Sequence, residues 1–193
     1  MKPTLYIMIG LSASGKSTKA KELSEKYNTI VISSDSIRGE LGDVIDQSHN
    51  DEVFKIFHQR IKSELIGGKN VIADATNISI KSRRNIISYV ENIDCRIVGL
   101  LMTKPSDLCI EHNIYREYPV PHHVIQKQMM NFQIPFYEEG FDNILIVPFE
   151  NEYSNSDFTT SIANMMDGFN QNNPYHNEDL LSHCLTVFEE IKK

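Results

Sequence analysis

Leu5-Tyr6-Ile7-Met8-Ile9-Gly10-Leu11-Ser12-Ala13-Ser14-Gly15-Lys16-Ser17-Thr18 is the stretch on which the fold turns. Five apolar residues without alternation predict a strand buried on both faces, and the strand stops at a glycine. Gly10 to Ser17 then satisfies G-x-x-x-x-G-K-[ST] at every fixed position, and a helix is expected from Lys16 to Tyr27. The glycines let the backbone curl until successive N–H groups converge on anionic oxygens, and the helix adds the positive end of its dipole. In such a cradle the ammonium of Lys16 reaches the β- and γ-phosphates of a nucleoside triphosphate, and the hydroxyl of Ser17 ligates Mg²⁺. Gly10, Ser12, Ala13, Ser14, Gly15, Lys16, Ser17 and Thr18 are therefore the candidate ATP-binding residues. A chance Gly/Ser turn is the bland reading, and the strand-turn-helix context argues against it.

Outward from this loop, the same alternation of elements recurs. Thr29–Ser33, Val71–Ala73, Arg96–Met102 and Ile144–Val147 are apolar, β-branched runs. Lys16 to Tyr27, Asp51 to Ile66, Ser79 to Val90 and Ser106 to Tyr115 are the helical stretches, with Val53, Phe57, Ile61 and Leu65 forming an apolar stripe and Gly67-Gly68 a stop. Strand and helix in repetition predict an α/β fold: a doubly wound parallel sheet of about five strands, covered by helices on both faces. After Pro148 the chain becomes more polar. A boundary near residue 150 is expected, with 1–150 as the phosphate-binding domain and 151–193 as a helical extension.

At 193 residues the chain accommodates one domain and an appendage. A net charge of −7 argues against a protein that coats long nucleic acid electrostatically. It leaves room for a local basic pocket. Cys95, Cys109 and Cys184 lie far apart with no C-x-x-C pair, which fits reduced thiols and a cytoplasmic setting rather than a disulfide framework or a zinc site. No signal peptide and no membrane span are expected.

Two further signals fall at strand ends, the ligand side of an open α/β sheet. Strand two runs into Ser33-Ser34-Asp35-Ser36-Ile37-Arg38. The Asp35 carboxylate there can take a proton from an attacking hydroxyl, and Arg38 can hold an anionic acceptor. Equally, Asp35 can serve only to cap a helix starting at Ser36. Strand three runs into Asp74-Ala75-Thr76-Asn77. Asp74 is the candidate to hold a Mg²⁺-bound water, as the acidic residue of Walker B does. Thr76 and Asn77 can fix the loop or touch the acceptor, or else form a turn and helix cap leading into Ser79 to Val90.

This set, G-x-x-x-x-G-K-S, then S-D-x-x-R, then I-A-D-A-T-N followed by Arg83-Arg84, then Val120-Pro121 opening a helix, resembles the P-loop kinase domain of polynucleotide 5′-hydroxyl kinases over residues 4 to 148. The resemblance implies Asp35 as general base toward the 5′-hydroxyl and Arg38 on the phosphate next to the acceptor nucleotide. It also implies a lid, here Cys109 to Pro121, whose arginine (Arg116) stabilises the transferring phosphoryl group. It implies ATP and Mg²⁺ as cofactors, and as partner the 5′ end of a short single-stranded RNA or DNA. The lid departs from the family in its low basicity, with Glu111 and Glu117 beside Arg116. Arg83 and Arg84 are expected at the surface. Asn173-Pro174-Tyr175-His176 with His183 resembles the opening helix of HD-type phosphohydrolases. The His-Asp dipeptide that family needs is absent, so the tail is expected either to cover the sheet or to begin a truncated domain. The resemblance also implies fusion to, or association with, a phosphohydrolase or ligase activity. A small-molecule kinase of nucleosides, nucleotides or sugars, and a nucleotide-dependent switch without transfer, are the other classes compatible with the residues.

Overall fold

The computed structural model describes residues 2–42 and 50–149. The chain divides into two units, Met1–Phe149 and Glu150–Lys193. The second lies outside the described residues, and with it the expectations for the tail and for Cys184. Strands β1 (Thr4–Ile9), β2 (Ile30–Ser33), β3 (Val71–Asp74), β4 (Arg96–Met102) and β5 (Asn143–Val147) form one parallel sheet ordered β2-β3-β1-β4-β5. Between them run α1 (Lys16–Tyr27), α2 (Ser34–Leu41), α3 (Asn50–Ile66), α4 (Ile80–Val90), α5 (Ser106–Asn113) and α6 (His122–Met130).

The period of two along β1 explains how one sheet serves two cores. Leu5, Ile7 and Ile9 face one side and pack with Ile37 of α2, the Val53/Phe57/Ile61/Leu65 stripe of α3, and Ile86 and Val90 of α4. Met8 faces the other side with Ile72, Val98 and Leu100, beneath Ala20 of α1. Both faces are apolar because both are covered, which is why the strands read as continuous runs. The stripe on α3 repeats every four residues and is fully buried. Truncating Phe57 there to alanine should cost about 3–5 kcal/mol.

The continuous-run expectation holds for the inner strands and fails at the edges. Leu145 and Ile146 of β5 and Val31 of β2 are exposed, because the outermost strands of the described sheet lack a covering neighbour on part of their surface. Arg83 corrects a second expectation. It is completely buried, not at the surface, and its guanidinium is bidentate on Glu139, with Nε 2.7 Å from Oε2 and Nη2 2.8 Å from Oε1. The remaining donors go to the backbone carbonyls of Asn77, Gln133 and Ile134. A buried cation is tolerable only with such full pairing. Among the described residues no helix is long and apolar enough to cross a membrane.

Candidate active site

The chain leaves β1 toward β2 on one side of the sheet and later returns to β4 on the other, so the crevice at the carboxyl end of β1 is a topological switch point. The glycine loop lies there. Ala13 (φ 62°) and Gly15 (φ 91°) both take left-handed backbone, the conformation by which such a loop curls around an anion, and the N–H of Ser14 between them donates to Leu11 O at 3.2 Å. Gly15 precedes α1 and gives it no side-chain cap, so the first N–H groups of that helix are left for a ligand. Gly10 is needed for close approach: a Cβ there would meet Ser14 Oγ at 2.7 Å and Met102 Cβ at 2.9 Å. Its N–H donates to Thr76 O at 3.0 Å, which joins the phosphate loop to the loop after β3.

Lys16 spans the cradle and donates from Nζ to Leu11 O at 2.6 Å. An ammonium has three donors, so two remain for phosphate oxygens. Burial pushes its pKa down to about 8, partly offset by the charge of Asp74 and reinforced by Arg116. Asp74 is shifted the other way: burial raises its pKa, while a hydrogen bond from Ser17 and the charge of Lys16 oppose the rise. Ser17 and Thr18, in the first turn of α1, are exposed. Ser14 Oγ is buried with no partner, a polar atom in the cradle wall that a ligand can satisfy.

These residues fit Mg²⁺. Among the described residues no cluster of three metal-ligating side chains occurs. Magnesium beside a triphosphate takes most of its six oxygens from water and phosphate, so one hydroxyl and one carboxylate suffice. The Ser17–Asp74 pair supplies two hard oxygen donors already in contact.

At the end of β2, Ser33 pairs in register with Asp74. Ser33 caps α2, its Oγ accepting from Ser36 N at 3.4 Å. The helix thus begins at Ser34, two residues earlier than the sequence suggests, and Asp35 is not its cap. The Asp35 side chain is half exposed; its Oδ1 accepts from Arg38 Nη1 at 2.9 Å and its Oδ2 lies 3.5 Å from Arg116 Nη2. Arg38 is mostly buried, with Nη2 on Asn50 Oδ1 at 2.8 Å and Nε enclosed without a partner. Asp35 and Arg116 both act on the charges of Lys16 and Asp74, so the four residues share one electrostatic site.

The loop after β3 follows one of its sequence readings, whereas the end of α5 and the role of Gln128 are not signalled by the sequence. Asn77 (φ 46°) is buried and donates to Met8 O at 2.7 Å, so it fixes the loop after β3, while Ser79 caps α4. Asn113 ends α5, two residues before the expected end, so the segment bearing Arg116 is a loop. Cys109 is buried in α5 and belongs to the helix, not to that loop; burial pushes its thiol up to about 11. Gln128 of α6 bonds Ser12, taking the N–H that the cradle was expected to leave open.

A parallel sheet in this order, with a glycine loop after the central strand and carboxylates at the end of β3 and just past the end of β2, defines a P-loop domain of the kinase type. A family described as an AAA domain matches residues 5–135, and the chain belongs to it. It is similar to L-seryl-tRNA(Sec) kinase of Methanococcus maripaludis, 29% identical over 72% of this chain and 56% of the relative. It is also similar to the bifunctional polynucleotide phosphatase/kinase of Schizosaccharomyces pombe, 24% identical over 76% of this chain and 34% of the relative. The chain spans about half or less of these curated relatives. Among solved structures, a chain of the Pnkp1/Rnl/Hen1 RNA repair complex superimposes with a TM-score of 0.61 at 21% identity, covering 67% of this chain and 44% of that one.

Proposed function

We propose that this chain transfers the γ-phosphoryl group of ATP to a hydroxyl, and that the acceptor is the 5′-hydroxyl at the end of a short RNA or DNA strand. The observation that carries this reading is the row Arg38–Asp35–Arg116 lying beside Lys16 and Asp74. A carboxylate flanked by two guanidiniums suits a reaction between an anionic acceptor and an anionic donor. Asp35 takes the proton of the acceptor hydroxyl; the freed oxygen attacks the γ-phosphorus; the bond to the β,γ-bridging oxygen breaks and ADP leaves. Lys16 and Arg116 hold the equatorial oxygens of the transferring group, and Arg38 holds the phosphate adjoining the acceptor nucleotide. Such transfer needs chiefly positioning and charge stabilisation. Ser17 and Asp74 would hold Mg²⁺, which supplies charge neutralisation on the β- and γ-oxygens when bound.

A second reading is favoured by the archaeal relative named for L-seryl-tRNA(Sec): the acceptor is a hydroxyl carried by a charged tRNA. The test is transfer of label from γ-labelled ATP to a panel of 5′-hydroxyl oligoribonucleotide, 5′-hydroxyl oligodeoxyribonucleotide, L-seryl-tRNA, a nucleoside, a sugar and buffer alone. The first reading requires label on an oligonucleotide end. Label on L-seryl-tRNA alone selects the second, label on the nucleoside or sugar alone selects a small-molecule kinase, and free phosphate in every lane rejects transfer.

A further inference from the structure

Two carboxamides tie the parts of the site together without facing the reacting groups. Asn113 is buried at the end of α5; its Nδ2 donates to Val120 O at 2.7 Å and its Oδ1 accepts from Val120 N at 3.0 Å. One side chain thus satisfies both groups of a backbone unit seven residues on, and closes the loop that carries Arg116. From Val120 the chain enters α6 through Pro121, and buried Ile125 fixes the rotation of that helix. Three residues further, on the same helix face, Gln128 Oε1 accepts from Ser12 N at 2.9 Å and its Nε2 donates to Ser12 Oγ at 3.0 Å. A carboxamide accepts from an N–H through its oxygen and donates to a hydroxyl through its nitrogen at the same time. The route from Ser12 to Arg116 is therefore continuous: phosphate loop, Gln128, α6, the Asn113–Val120 clasp, and the loop itself.

We propose that Gln128 is a positioning residue for phosphoryl transfer, holding the Arg116 loop at one fixed place relative to the phosphate loop. This rests on the reading above that Arg116 acts on the transferring group. A guanidinium held in place stabilises developing charge with no reorganisation, and displacement by about 1 Å can cost on the order of 10²-fold in rate. A residue that only shaped the phosphate loop would act on nucleotide affinity instead.

A double-mutant cycle separates these roles. Wild type, Gln128→Ala, Arg116→Ala and the double variant are compared for kcat, KM for ATP and affinity for a fluorescent ATP analogue, with the panel acceptor that is phosphorylated fastest. Gln128→Met keeps the volume without the hydrogen bonds; it should behave as the alanine variant, and it carries the test if the latter does not fold. The expected result is a fall in kcat of about 10- to 100-fold, nucleotide affinity within about twofold of wild type, and no further loss when Gln128→Ala is added to Arg116→Ala. Losses that multiply in the double variant, a loss appearing only as weaker nucleotide binding, or an unchanged kcat overturns the positioning role alone. Arg116→Ala at the wild-type rate overturns the assignment of Arg116 as well as this inference.

Discussion

Arg116 Nη2 lies 3.5 Å from Asp35 Oδ2, across 81 positions of sequence. The other oxygen of the same carboxylate is held by Arg38 at 2.9 Å. The two contacts differ in strength and in what supports them. Arg38 is fixed from behind by Asn50, whereas Arg116 stands on a loop and reaches Asp35 at a long distance. On the proposed reading, a γ-phosphoryl group is a better partner for Arg116 than the edge of a half-exposed carboxylate, and the move of Arg116 to it would free Oδ2 for the acceptor hydroxyl.

The two arginines should therefore fail differently. Arg116→Ala should lower kcat by on the order of 10²- to 10³-fold for every acceptor, as expected for a donor that acts in the transition state. Arg38→Ala should raise KM by roughly 10-fold or more for an acceptor with an adjoining 3′-phosphate, and by less for a dephosphorylated one. Steady-state kinetics on the two acceptors checks this. Matching profiles for the two variants would refute the division of labour.

Lys16 gives the site a pH signature. With its pKa lowered to about 8 by burial, the ammonium is largely intact at pH 7 and is lost as pH rises through 8. Only the charged form binds phosphate well, so the Kd for an ATP analogue should be flat below about pH 7.5 and rise above pH 8. The rise should approach tenfold per unit, the limit for one proton. Lys16→Ala should bind weakly at all pH values, abolish transfer, remain folded, and lose this dependence. Fluorescence titration from pH 6.5 to 9.5 tests it; a Kd constant to pH 9 in the wild type would contradict it.

Arg83 supports the site from below. Its pairing with Glu139 and with Asn77 O anchors the loop that follows Asp74. Arg83→Met leaves Glu139 buried and unpaired, and should destabilise the fold by about 3–5 kcal/mol. Replacing both partners by apolar residues (Arg83→Met with Glu139→Leu) should recover part of that loss. Denaturant unfolding of the three proteins measures it, and a single variant within about 1 kcal/mol of wild type would contradict the role.

The legible part of this molecule was local in sequence. Gly10 to Ser17 and the uninterrupted strands carry their own geometry, because a turn motif and a period of two are set by neighbours in the chain. Arg83 misled because a cation reads as surface unless its partner is known, and Glu139 stands 56 positions away. Asp35 was ambiguous for the opposite reason. Four candidate oxygens, Ser33, Ser34, Asp35 and Ser36, crowd one helix start, and which of them caps is decided by backbone placement at the strand end. Gln128 carried no signal at all, since a glutamine on an exposed helix is commonplace and its partner lies 116 positions earlier.

The most direct test of the account is Asp35→Asn. Capping is done by Ser33, so asparagine at position 35 keeps the helix start and the volume and removes only the charge and the basicity. The measurement is the single-turnover rate of phosphoryl transfer to the best acceptor, with thermal stability and ATP-analogue affinity followed in the same samples. General-base catalysis predicts a loss of on the order of 10²-fold or more in rate, with stability and nucleotide affinity near wild type. A folded Asp35→Asn protein that transfers phosphate within a few-fold of wild type would contradict it.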